Sequence, residues 1–199
     1  MAVRKVRGAY ALSRHVDAPP TETGYGCQGM GILDVYMGPM TVVVPSRYAT
    51  AEHRRIVESV AGVCAEPKTH GFDTKVYVQY SVRTDRAIAI SDLADRNMIL
   101  IGCEGNNRLI EELKGRLNLY FGEDGCEFRS HGVRGRYCLL YAQEMSIGRI
   151  ALLIYANEAP LLARNLFTRS MILPSYSSGL DPYLNRQFLA FDGKRYVVA

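Results

Sequence analysis

The sequence predicts an α/β fold, an open and mostly parallel sheet in three layers with antiparallel hairpins added at one edge. Three observations predict it. The apolar runs at residues 40–44 (MTVVV) and 98–102 (MILIG) have strand length and the unbroken hydrophobicity of strands buried on both faces. Segments of helical periodicity separate such runs, which implies parallel strands joined by crossover helices lying on both sides of the sheet. The last third reads as neighbouring strands and ends in NRQFLAFDGKRYVVA, where Asp192-Gly193 is the strongest hairpin signal in the chain.

In chain order, residues 1–38 read as an N-terminal wrapping segment or linker and residues 39–199 as one α/β domain. The leader has a short apolar stretch around Val6 to Leu12, then DAPPTETGYGCQGMG, whose Gly, Pro and Thr content makes turns. After the first strand, Ser46 is a candidate cap for a helix in RYATAEHRRIVESVAGVCAE. There Ile56, Val57, Val60 and Val63 point inward, and Glu52, His53, Arg54 and Arg55 outward. A strand is expected at 75–80, a helical turn at SDLAD and the buried strand at 98–102. RLIEELKGRL then forms a helix with Leu109, Ile110, Leu113 and Leu117 on one face, and Gly115 marks fraying at its end. A hairpin at 119–130 turning on Glu123-Asp124-Gly125, strands at 136–142 and 149–156, and a helix at 158–171 complete the order.

Composition bounds the answer without naming a function. The chain has 199 residues, 48% hydrophobic and 22% charged, enough to build a core without metals or disulfides. No apolar run approaches the roughly 20 residues of a membrane-spanning helix. The basic N-terminus has neither the apolar core nor the cleavage site of a signal peptide. Five cysteines, an odd number with no CxxC pair, are expected as reduced thiols in a cytoplasmic protein. A net charge of +4 is too small to identify a partner.

Chemistry is expected where strands of an open α/β sheet run into helices. The loop Gly102-Cys103-Glu104-Gly105-Asn106-Asn107 fits that place. Its glycines permit close backbone approach, the helix N–H groups after it favour an anion, and its two Asn can bond a polar ligand. Asn106 as a helix cap and Gly105 as a turn former is the purely structural alternative. Cys103 is a candidate nucleophile because a helix N-terminus lowers a thiol pKa, although His15, His53, His70 and His131 are all remote in sequence. Cys126, His131 and Cys138 lack the tight ligand pair and the fourth ligand of structural zinc, so no metal is expected. G-x-G-x-x-G occurs at Gly24, Gly26 and Gly29, but outside a strand-to-helix context, and no cofactor is expected. The nucleophile elbow G-x-S-x-G and the Walker A pattern do not occur; Ser175, Ser177 and Ser178 follow no buried strand. Arginines at 4, 7, 54, 55, 129, 134 and 136 are interspersed with acids, which argues against nucleic acid.

GMGILDVYMGPMTVVVP, with DLADRNMILIGCEGNNRLIEEL after it, resembles the Rossmann-like domain C-terminal to the catalytic domain in some microbial α/β-hydrolase-type esterases and prolyl-oligopeptidase-like proteins. Gly31, Asp34, Gly38-Pro39, Asp92 or Asp95, Asn97, Gly102, and Asn106 or Asn107 stand at that family's turn and strand-end positions. RYCLLYAQEMSIGRIALLIYAN is similar to its paired strands, and the likeness spans about residues 29 to 175. The resemblance implies an accessory domain standing without its hydrolase, and it carries over no catalytic residue. The expectation is therefore a noncatalytic binding or interaction module. Its partner would be a separate hydrolase, a second copy of itself or a small polar ligand, and no membrane. The alternative is a small enzyme or ligand-binding protein using the Gly102 to Asn107 loop, with Cys103 as nucleophile.

Overall fold

The computed structural model describes residues 2–6, 9–13, 31–36, 38–65, 68–70, 74–76, 80–103, 105–146, 148–163 and 186–199. Its centre is a mixed sheet of seven strands. A smaller antiparallel sheet and a few helices pack around it.

Two short hairpins lie outside that sheet, β1 (Ala2–Val6) with β2 (Ala9–Ser13), and β4 (Lys68–His70) with β5 (Thr74–Val76). Between them come β3 (Met40–Val44) and the helix α1 (Ala51–Ala65). Then follow β6 (Tyr80–Thr84), β7 (Asn97–Cys103) and α2 (Arg108–Leu113). The small sheet is β8 (Tyr120–Gly122), β9 (Gly125–Phe128) and β10 (His131–Arg134). The chain closes with β11 (Cys138–Ser146), β12 (Arg149–Ala156), α3 (Ala159–Leu162), β13 (Phe188–Phe191) and β14 (Tyr196–Val198).

Across the large sheet the order is β14-β13-β11-β12-β7-β3-β6. β6, β3, β7 and β12 pair in parallel, and β11, β13 and β14 continue antiparallel at one side. Alternate residues of each strand feed two separate cores. On one face Val42, Ile99, Ile101, Leu152 and Ile154 pack with α1, α3 and the 3-10 turn Ile32–Tyr36. On the other Val43, Met98, Leu100, Leu153 and Tyr155 pack with α2 and the small sheet. Every residue of β7 is buried, as expected of a parallel strand covered on both sides. Ile32, Val35 and Tyr36 lie in the first core, so part of the segment before residue 38 belongs to the same packed body.

Several elements differ from the sequence reading. The strand in the large sheet is 80–84 rather than 75–80, because an edge strand with one neighbour is exposed and lacks the apolar run that marks an interior strand. α1 starts at Ala51, where Thr50 Oγ1 accepts the His53 N–H at 3.0 Å; Ser46 instead gives its N–H to Asp85 Oδ1. The hairpin at 119–130 gains a third strand, β10, through a turn in which Arg129 and Ser130 both have positive φ. The 158–171 helix is described only as Ala159–Leu162, since 164–185 fall outside the described residues, as do Gly24, Gly26, Gly29, Ser175, Ser177 and Ser178. Asp192-Gly193 does turn β13 into β14, with Gly193 at φ +94.

Asn97 secures the start of the central strand. Its Nδ2 donates to Val35 O at 2.8 Å and its Oδ1 accepts the Ile150 N–H at 3.0 Å, all buried. Asn97→Leu leaves a buried carbonyl and a buried amide unpaired, and should lower urea stability by about 2–4 kcal/mol at unchanged m-value.

Candidate functional site

Strand order reverses beside β3. β6 lies on one side of it and the next strand, β7, on the other. Ligand sites of open α/β sheets form at such reversals, beyond the carboxyl ends of the strands. Here the ends of β3 and β7 bring together the start of α1 and the loop predicted from sequence.

That loop turns back sharply on β7. A Cβ at Gly102 would lie 2.7 Å from Asn106 Oδ1 and 3.0 Å from both Asn107 Cβ and Ile110 Cδ1, so any other residue there must displace the Asn106 side chain. Gly105 takes φ +68 in the turn. Asn107, not Asn106, caps α2: its Oδ1 accepts from Leu109 N at 3.0 Å and Ile110 N at 3.4 Å, and its Nδ2 donates to Ile101 O. Glu104 lies outside the described residues.

Among the described residues, four of the amides expected to face an anion have acceptors within the chain. Cys103 N donates to Asn106 Oδ1 at 2.8 Å, Gly105 N to Glu111 Oε1 at 3.1 Å and Asn106 N to Cys103 O at 3.2 Å. Arg108 N donates to Asp85 Oδ2 at 2.7 Å. Asp85, only 2% exposed, thus joins the end of β6 to both the β3 end and α2, since Ser46 N reaches its other oxygen at 2.8 Å. Two carboxylates, Asp85 and Glu111, occupy donors that an anionic ligand would need.

Sequence reasoning turned His53 outward, and the structure buries it at 5% exposure. The signal was present. His53 stands four residues before Val57 and seven before Val60, on the stripe that continues to Ala61 and Cys64. His53 Nε2 lies 3.7 Å from Cys103 Sγ and 3.1 Å from Asn106 Nδ2, and the Tyr48 ring meets the imidazole edge-on at 5.6 Å between centroids. Burial pushes the Cys103 thiol up to about 12, against a smaller opposing effect of the Ala156 N–H, and burial lowers His53. Both groups are therefore held neutral, which is the reverse of an activated thiolate-imidazolium pair.

Beside this cluster a groove of about 470 Å³ runs between α1 and β6, lined by residues including Val44, Pro45, Tyr48, Gly62 and Val82; Cys103 and His53 are not in its lining. Among the described residues no three His, Cys, Asp or Glu side chains group to hold a metal, with His131 exposed while Cys126 and Cys138 are buried. No helix among the described residues is long and apolar enough to cross a membrane. Comparison with protein-family models, with curated proteins and with solved structures gave no match.

Gly102→Ala would drive Asn106 off the Cys103 amide. It should cost about 1–3 kcal/mol of stability and speed hydrogen exchange at Cys103, whereas Gly62→Ala, where a Cβ meets nothing within 4 Å, should be neutral or stabilising.

Proposed function

We propose that this chain is a noncatalytic, Rossmann-like binding module that acts through its surface rather than by chemistry at the strand ends. The observation that carries this reading is the end of β7 and the start of α2, where the Cys103, Gly105 and Arg108 amides bond to the chain's own side chains and Cys103 is a buried, protonated thiol. Burial raises the thiol pKa to about 12, so at neutral pH Cys103 is a thiol and not a thiolate nucleophile.

The surface that supports a binding role is the β6 edge. Among the described residues β6 pairs with β3 alone, and Tyr80 and Val82 stand about half exposed on it. An edge strand of this kind adds readily to a strand of another molecule. On this reading the partner is a second copy paired through the edge or, as the family resemblance implies, a separate hydrolase. Sedimentation velocity over a dilution series is the test of self-association. An assembly that persists on dilution and is lost in Val82→Lys supports pairing through β6, and a strict monomer that retains no hydrolase overturns docking.

A second reading, a thiol enzyme, is favoured by the 3.7 Å approach of Cys103 Sγ to a histidine nitrogen. Iodoacetamide separates the two. The binding module predicts alkylation of Cys103 at neutral pH at least about a hundredfold slower than a free thiol, while an enzyme nucleophile would react faster than one and slow down in His53→Ala.

A further inference from the structure

We propose that Asn106 and His53 form a proton-sensitive latch, which ties the end of β7 at Cys103 to α1 while His53 is neutral and releases it when His53 takes up a proton. The Asn106 amide is clamped at both ends. Its Oδ1 accepts the Cys103 N–H at 2.8 Å, so the oxygen must face the backbone, and this turns Nδ2 toward His53 Nε2 at 3.1 Å. An NH2 group can only donate, so Nε2 must carry a lone pair and the imidazole proton must sit on Nδ1. The Cys103 S–H faces the same lone pair at 3.7 Å.

Protonation of Nε2 sets donor against donor. If Asn106 then rotates to offer Oδ1 to the imidazolium, Nδ2 swings onto the Cys103 N–H and that bond is lost. Either way one clamp opens, and Asn106 no longer bridges His53 and the Cys103 amide.

The surroundings favour the neutral state. Tyr48 meets the ring edge-on from the approach to α1, and the Cys103 thiol and Asn106 face it from the end of β7. On α1 the flanking Glu52 and Arg54 are exposed, and Arg54 pairs with Glu58. Asp85, at the end of β6, already accepts from Ser46 N and Arg108 N. His53 also lies in the first turn of α1, where the helix dipole opposes a cation. Burial lowers its pKa from 6.5, so the unfolded or open chain binds a proton first as pH falls. The closed state is thus fully favoured above about pH 6.5 and loses that advantage below it.

The test is the rate at which a dipyridyl disulfide, a reagent that remains reactive in acid, labels Cys103 in the full chain, read by peptide mass spectrometry. From about pH 7.5 to about pH 5 the rate should rise about tenfold or more with far-UV circular dichroism unchanged, and in His53→Gln it should change less than about twofold. A flat wild-type profile, an equal rise in His53→Gln, or a rise that coincides with global unfolding overturns the latch. The wild-type ¹⁵N spectrum of His53 gives a second reading that needs no variant. The latch requires the Nδ1–H tautomer near neutral pH, and the Nε2–H tautomer contradicts it.

Discussion

The burial of β7 on both faces, between two parallel neighbours, is the constraint from which the rest of the structure follows. All seven of its residues are buried, so the backbone groups released where pairing stops need partners within the chain. Asparagines do so instead. Asn97 bonds to Val35 O and Ile150 N at the start, and at the other end Asn106 takes the Cys103 amide and Asn107 the Ile101 carbonyl. Asparagine suits both places because one short side chain carries a donor and an acceptor. Gly102 follows from the same arrangement, since a Cβ there would come within 2.7 Å of Asn106 Oδ1 and 3.0 Å of Asn107 Cβ, the two side chains that close the strand.

That same economy explains why the strand ends at the reversal beside β3 hold a neutral, crowded cluster. In a ligand-binding α/β protein the loop amides stay free until the ligand arrives. Here Asp85, Asn106, Asn107 and Glu111 accept them, and His53 closes the top by accepting from Asn106. The 3.7 Å contact of Cys103 with His53 resembles a nucleophile and its base only in outline, because burial opposes the charge on either partner.

Much of this was legible in the sequence. The interior strands β3 and β7 announced themselves because burial on both faces demands unbroken apolar runs, and the β13-β14 turn did so because Gly193 needs a positive φ. The loop at 102–107 does stand between β7 and α2, as the alternation of strand and helix patterns implied. Edge strand β6 was misplaced because exposure removes the apolar pattern, and β10 was missed because Arg129-Ser130 carries none of the usual residues of a positive-φ turn. His53 was assigned outward on polarity although its helical phase put it inward. The Asp85 junction had no sequence signal, since it links residues 46, 85 and 108 only through tertiary structure.

The central claim is that the loop after β7 is sealed by the chain's own side chains. Amide hydrogen exchange resolved by NMR at neutral pH tests it most directly. The account predicts that the amides of Cys103, Gly105 and Arg108, which bond to side chains and not within helix or sheet, exchange as slowly as the amides inside α2. Exchange of these three at the rate of an unprotected loop, with α2 still protected, would contradict it.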